Sequence, residues 1–172
     1  HSSSQVLRHL VNALGAAVVV STLEEVLFRG AIFGGLRWSL GWRNALLASS
    51  VVFALVHFLE RAGSPEKVVW TSGFLVLGQM LSGFARFQQF IPGFFNLFLA
   101  GGILCLVCQR RGTLYGAIGI HAGWIFWLKS YGFFTTPAAG ANTWWWGSAK
   151  MIDGWGGCFF LGFLGFLIWR FT

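Results

Sequence analysis

The chain carries very little charge, and this scarcity excludes most soluble folds. Only 10% of its 172 residues are charged, and five of these are Asp or Glu. A soluble domain averages about 25% charged residues, so too few are present here to cover a water-exposed surface. Hydrophobic residues make up 56% of the chain, and its 24 glycines allow close packing of membrane helices. The sequence therefore predicts a polytopic helical membrane protein.

Cysteine pairs and basic clusters are scarce as well. The three cysteines do not make a disulfide framework, and Cys105 and Cys108 have no second pair or nearby histidine for zinc, so they are predicted to pack. The net charge of +7 comes from basic residues scattered singly or in pairs between apolar runs, as in loops that flank membrane spans. We therefore predict membrane lipids as partners and exclude nucleic acid.

The chain also lacks an initiator Met and a recognisable cleavable signal peptide. It opens HSSSQVLRHL, which is compatible with N-terminal helices that precede this sequence, and its apolar start leads straight into two glutamates. The length predicts a single domain over residues 1–172.

Apolar stretches that approach the about 20 residues of a membrane span recur along the chain. They cover residues 6–36, 45–59, 68–84, 94–107, 113–127 and 154–169. The predicted fold class is therefore all-α, a polytopic transmembrane helical bundle of about six spans.

The segments between these stretches carry the turn signals. Gly34 and Gly35 are expected to end the first span, followed by a basic aromatic loop, "RWSLGWRN". Pro65 marks an exposed turn, Pro92 is expected to stop an interfacial segment, and residues 129–153 are expected at the membrane interface.

The positive-inside rule leaves the orientation open, because alternate loop assignment gives five basic residues on one side and six on the other. These are Arg37, Arg43, Arg86, Lys129 and Lys150 against Arg8, Arg61, Lys67, Arg110, Arg111 and Arg170.

Five ionisable residues lie inside the apolar stretches, although each costs roughly 2.5–3.5 kcal/mol there. They are Glu24, Glu25, Arg29, His57 and His121. Three separate spans contribute them, and a single catalytic cavity inside the bundle explains all three contributions.

Helical spacing separates the roles of the two glutamates. Glu25 and Arg29 are four residues apart, which brings a carboxylate and a guanidinium to one helix face and offsets the cost of burying either. Glu24 points about 100° away and is left as a general base or acid. The alternatives are that all three charges form a structural ion cluster and that His57 and His121 each make a structural hydrogen bond.

Three short motifs follow one another in an order that resembles a known family. They are Glu24-Glu25-x-x-x-Arg29, Phe53-x-x-x-His57 and an apolar helix that begins His121-Ala122. The sequence resembles the CAAX-protease and bacteriocin-processing family, also called the abortive-infection family, of glutamate-dependent intramembrane proteases. The resemblance covers about residues 20–130. It implies a membrane bundle, placed here in the bacterial plasma membrane, that acts on lipidated or membrane-associated protein or peptide substrates.

The resemblance also implies roles for the motif residues. Glu24 activates a water molecule that His57 helps to hold, and His121 stabilises the oxyanion. Phe53 lies one turn before His57 and supports its ring. No metal cofactor is expected, since the HExxH arrangement is absent; the alternative is zinc, with Glu24, His57 and His121 as ligands.

One position departs from the family pattern. Many members carry Asn four residues after the last motif His, and this chain has Ile125 there. Losing an oxyanion donor costs roughly 10²–10³ in rate. Asn96 or the Trp124 indole N–H is expected to replace that donor or to contact the substrate.

The leading functional prediction is an intramembrane endopeptidase that cleaves near a lipidated or membrane-embedded C-terminus. One alternative, favoured by Ile125, is a non-proteolytic scaffold or immunity protein on the same fold. The other is a proton-coupled transporter that uses Glu24 and the histidines as a relay. Transporters usually show repeats with broken helices in matching halves, and none is visible here.

Overall fold

The computed structural model describes residues 2–64, 67–136, 138, 140–148 and 152–171, and within them the chain is helical without strands. The elements are α1 (Ser3–Glu25), a π-helix (Val26–Phe33), α2 (Gly34–Val56), α3 (Ser72–Met80), a 3₁₀ helix (Leu81–Ala85), α4 (Phe87–Arg111), α5 (Tyr115–Phe134), α6 (Thr143–Trp146) and α7 (Trp155–Phe171). The predicted all-α class is confirmed.

Two described helical stretches are long and apolar enough to cross a membrane. They are Ser3–Val56, which contains the π-helix, and Phe87–Arg111. Ser72–Ala85 and Trp155–Phe171 are apolar but shorter. Length and composition thus support a membrane protein, whereas the number of crossings stays a prediction.

The first helical stretch ends later than its glycines suggest. The predicted end at Gly34 and Gly35 is wrong, because both residues are helical. The break comes at Gly41, whose φ of 73° and ψ of 159° lie outside the helical region. The predicted loop over "RWSLGWRN" is also wrong, since this segment is helical on both sides of Gly41. Gly adopts positive φ at little steric cost, so the sharp turn falls there.

Pro92 does not end an interfacial segment, contrary to expectation. It lies inside α4, in the second helical turn, and is fully buried. A proline there removes one backbone hydrogen bond, and packing of the long apolar helix outweighs that loss. The other predicted breaker, Pro65, lies outside the described residues.

The predicted span at 68–84 does not carry the chain across the bundle. Its residues form two short helices, α3 and the 3₁₀ helix, instead of one long helix. Arg86 follows this segment and pairs with Glu60, which precedes it, at 3.0 Å. The segment therefore begins and ends at the same end of the molecule.

Packing between distant helices positions the candidate site. α1 packs against α5, the π-helix and α2 pack against α4, and α4 also packs against α7. One buried cluster contains Phe33 and Cys105, and another contains Leu104 and Cys108. Both cysteines are free and buried, so the prediction that they pack is confirmed.

Candidate active site

Glu24 lies at the centre of the motif residues, in the last turn of α1. Its Oε2 atom is 3.7 Å from Nε2 of His57 and 3.8 Å from Nε2 of His121. Both distances are too long for a direct hydrogen bond, and Oε2 is buried without a hydrogen-bond partner among the described residues. The side chain as a whole is 27% exposed. The structure thus brings three predicted site residues together around one partly accessible carboxylate.

The backbone fixes which nitrogen of His57 faces Glu24. Nδ1 of His57 lies 2.7 Å from the carbonyl oxygen of Phe53. A carbonyl only accepts, so Nδ1 donates and, in the neutral ring, Nε2 carries the lone pair. Two acceptors, Nε2 of His57 and Oε2 of Glu24, therefore face each other across 3.7 Å. A water molecule between them can donate one hydrogen to each.

Glu25 is the centre of a buried ion cluster behind Glu24. Its Oε1 accepts a hydrogen bond from Nη1 of Arg29 at 2.9 Å and lies 2.7 Å from Nδ1 of His121. Both side chains of the Glu25–Arg29 pair are 0% exposed. Nη2 of Arg29 also donates to the carbonyl of Gly101 at 3.3 Å. The cluster joins α1, the π-helix, α4 and α5, and it turns Nε2 of His121 toward Glu24.

The Phe53 ring contacts several members of the site at once. Its centroid lies 4.4 Å from the His57 ring, 5.9 Å from the His121 ring and 4.3 Å from Cζ of Arg29. The last contact is a cation–π interaction, which is stronger at a desolvated site. The sequence analysis predicted only that Phe53 supports the His57 ring. In the structure, Phe53 contacts Arg29 of the ion cluster as well as both imidazole rings.

Gly101 is a site residue that the sequence reasoning missed. Its carbonyl accepts from Arg29, and a Cβ atom here would lie 3.2 Å from Ser50 and 3.3 Å from the Phe53 ring. The absence of a side chain lets the α4 backbone approach the cluster closely. The available signal was the Gly101–Gly102 pair inside an apolar helix, since small residues mark close helix contacts.

Gly101→Ala is expected to destabilise the fold by about 1–3 kcal/mol and to lower activity, because the new methyl group overpacks Phe53 and Ser50. Gly102→Ala is the matched control. Its Cβ would meet its nearest neighbour, Leu46, at an ordinary 3.6 Å. Thermal unfolding of the two variants in one detergent measures the difference. Equal midpoints would show that the close approach at Gly101 has no energetic weight.

The two residues predicted to replace the missing oxyanion donor lie in other contacts. Nδ2 of Asn96 donates to the carbonyls of Ile152 and Gly154, both at 2.8 Å, so both of its amide hydrogens are used. Trp124 packs beside the buried cluster around Leu104. Ile125 is half-buried. Asn96 therefore ties α4 to the start of α7, and a contact of either residue with substrate stays a prediction.

A cavity of about 430 Å³ opens beside His57. This volume lies within the range of about 300–1,000 Å³ that is typical of ligand pockets. Phe58, Phe90 and Ile152 give it apolar walls, while Glu60, Arg86, Gln89 and Asp153 give it polar ones. The cavity therefore offers both apolar and polar contacts to a ligand.

The donor atoms around Glu24 are also ones that zinc takes. Nδ1 of His57 is hydrogen-bonded to a carbonyl and Nδ1 of His121 to a carboxylate, as is usual for zinc-bound histidines. Across the described ranges, no group of three or more His, Cys, Asp or Glu side chains has an arrangement that could hold a metal ion. The donor chemistry therefore fits zinc, and the expectation of a metal-free site stays a prediction.

Comparison with known proteins identifies the family. The family model described as type II CAAX prenyl endopeptidase Rce1-like matches residues 6–127, a range that contains every motif residue around Glu24. No curated protein and no solved structure shows a significant match to the chain. The chain belongs to the Rce1-like family of type II CAAX prenyl endopeptidases, which are integral-membrane proteases.

Proposed function

We propose that this chain hydrolyses a peptide bond with a water molecule that Glu24 activates. The observation that carries the proposal is the placement of Glu24 Oε2 at 3.7 Å from His57 Nε2 and 3.8 Å from His121 Nε2. A water molecule held between the carboxylate and His57 can donate to both, which exposes an oxygen lone pair for attack. This arrangement supports general-base hydrolysis.

The proposed reaction begins when Glu24 takes one proton from the bound water. The water oxygen attacks the scissile carbonyl carbon and forms a tetrahedral intermediate. The C–N bond then breaks, and the proton on Glu24 passes to the leaving nitrogen, so the carboxylate is restored. His57 is a positioning residue for the water through the tautomer that the Phe53 carbonyl selects.

His121 stabilises the oxyanion of the tetrahedral intermediate in this scheme. Its Nδ1–H donates to Glu25, so Nε2 donates only when the ring is an imidazolium. The charges of Glu24 and Glu25 exceed that of Arg29 by one, and an imidazolium at His121 balances them. A donor fixed where negative charge develops is among the larger contributions to catalysis.

The site lies at membrane depth on this proposal, inside a bundle of five crossing helices. These are the two parts of the first helical stretch on either side of Gly41, together with α4, α5 and α7. The proposed substrate is a lipidated or membrane-associated protein or peptide in the bacterial plasma membrane. The family supports a prenylated substrate, and the cavity beside His57 supports a peptide end with apolar side chains.

A panel of fluorogenic peptides tests this function with the purified full chain in vesicles. The panel contains a farnesylated CAAX peptide, the same peptide without the farnesyl group, and the farnesylated peptide with an N-methylated scissile bond. We expect cleavage of the first, slower cleavage of the second and none of the third. If no member of the panel is cleaved, the proposed activity is wrong.

Chelators are expected to leave the hydrolysis rate unchanged, because the proposed chemistry uses a carboxylate base and no metal. The measurement compares the rate before and after incubation with EDTA or 1,10-phenanthroline. Loss of activity that Zn²⁺ restores would make Glu24, His57 and His121 metal ligands and would overturn the general-base scheme.

A non-hydrolytic role on the same scaffold is the second candidate. It is favoured by Ile125 at the position of the usual second oxyanion donor, and by the use of both Asn96 amide hydrogens within the fold. This candidate predicts that the chain binds the farnesylated peptide with the same affinity in the wild type and in Glu24→Gln and cleaves it in neither.

A further inference from the structure

A surface rich in arginine lies at the end of the bundle remote from the cavity beside His57. Its centre is a pocket of about 320 Å³ lined by Arg37, Trp38, Trp42 and Gln109. We call this pocket, together with Arg43, Arg110, Arg111 and Arg170 around it, the arginine surface.

Specific contacts hold two of these arginine side chains, Arg43 and Arg110, at neighbouring helix ends. The Arg43 guanidinium lies 5.4 Å from the Trp42 ring, which is a cation–π contact. Nη2 of Arg110 donates to the carbonyl of Trp169 at 3.2 Å, which brings the end of α4 next to the end of α7. The sharp turn at Gly41 places the residues before and after it beside the same pocket.

The arginine surface has no acidic counterpart among the described residues. Glu24 and Glu25 lie in the catalytic cluster, and Glu60 and Asp153 line the cavity beside His57. The ion pairs of the described chain involve no arginine of this surface. The described residues therefore gather five guanidinium groups at one end and place no carboxylate beside them.

This grouping corrects the alternate assignment of basic loops, which separated Arg37 and Arg43 from Arg110, Arg111 and Arg170. The error comes from residues 68–84, which return to their starting end instead of crossing. If residues 68–84 do not cross the membrane, every loop after them lies on the opposite side from the one assigned by simple alternation.

The length of α4 gives the distance between the cavity beside His57 and the arginine surface. Gln89, near the start of α4, lines the cavity beside His57, and Gln109, near its end, lines the arginine surface. At 1.5 Å per residue these two positions are about 30 Å apart, which is the thickness of the hydrocarbon core. The arginine surface therefore lies at headgroup level in the leaflet opposite the cavity. Trp38, 85% exposed, suits this interface.

We propose that the arginine surface binds the phosphate headgroup of an anionic phospholipid. Guanidinium groups bind phosphate oxygens in a bidentate manner, and basic pockets between membrane helices bind anionic headgroups. The two tryptophans flank the pocket where the glycerol and upper acyl chains of a lipid lie. The surplus of positive charge favours an anionic lipid over a zwitterionic one that carries the same phosphate. This site is independent of the catalytic chemistry at Glu24.

The test uses the full chain in neutral detergent, titrated with phosphatidylglycerol and followed by native mass spectrometry of bound lipid. Arg37→Gln with Arg43→Gln removes two guanidinium groups of the surface. Arg8→Gln with Arg61→Gln is the matched control, because it removes the same charge from exposed positions elsewhere. At about fivefold per arginine, we expect the first double variant to bind about thirtyfold more weakly and the control to bind like the wild type.

Two further arms identify the source of the phosphate. We expect phosphatidylcholine to bind much more weakly than phosphatidylglycerol, and 50 mM inorganic phosphate to leave the lipid bound. Equal binding of both lipids, or equal loss in both double variants, would show only general attraction and would overturn the proposal. Displacement by inorganic phosphate would assign the pocket to a soluble anion instead of a lipid. A gel-filtration profile like that of the wild type confirms that each variant is folded.

Discussion

Glu24→Gln is expected to lower kcat for peptide hydrolysis by about 10²–10⁴-fold, the contribution that a positioned general base makes. The amide keeps the shape of the side chain but cannot take a proton from water. Glutamine has nearly the same volume as glutamate, so the packing of the site and substrate binding should persist. The measurements are kcat for the farnesylated peptide and the dissociation constant of its N-methylated analogue.

Thr22→Val is the matched control for this variant. Thr22 precedes Glu24 by two residues, is exposed, and donates only to the Val18 carbonyl of its own helix. Its replacement should leave kcat within about twofold, since surface substitutions away from a site have small effects. If Glu24→Gln retained the wild-type rate, catalysis would have to reside elsewhere.

Local spacing was sufficient to predict the contact between Glu25 and Arg29. Both residues lie one helical turn apart, so their contact depends only on the chain being helical there. The 2.9 Å pair is present even though a π-helix begins immediately after Glu25. The hydrogen bond from Nδ1 of His57 to the Phe53 carbonyl is local in the same way, because it joins positions i and i+4.

Contacts between distant helices could not be read from spacing. The bond between His121 and Glu25 joins residues 96 positions apart, and Arg29 to Gly101 spans 72. Each depends on how α1, α4 and α5 pack, which a single sequence does not determine. For that reason the contact between His121 and Glu25 was not predicted, and Gly101 was missed.

The predicted ends of the spans were wrong where a glycine or proline is compatible with either a helix or a turn. Glycine in a helix costs about 1 kcal/mol relative to alanine, and packing can outweigh this, so Gly34 and Gly35 remain helical while Gly41 does not. Proline near a helix start has the same ambiguity, as Pro92 shows. An apolar run also does not reveal whether it crosses or returns, and residues 68–84, predicted as a span, form two short helices between the paired residues Glu60 and Arg86.

Arg29→Met is expected to destabilise the protein by about 3–5 kcal/mol, because it leaves the Glu25 charge buried without its main partner. Methionine keeps most of the side-chain length, so little of the loss comes from a cavity. The same change also removes the cation–π contact with Phe53 and the bond to Gly101. Equilibrium unfolding of the full chain in detergent measures the loss of free energy.

The control for Arg29 is a second arginine–glutamate pair that differs chiefly in burial. Arg86 pairs with Glu60 at 3.0 Å, but its side chain is 62% exposed, and exposed pairs contribute at most about 1 kcal/mol. Arg86→Met should therefore cost far less than Arg29→Met. Adding Glu25→Gln to Arg29→Met should recover part of the stability, since the buried charge is then gone. If the two arginine variants lost equal stability and Glu25→Gln restored nothing, the buried cluster would have no part in holding His121 against α1.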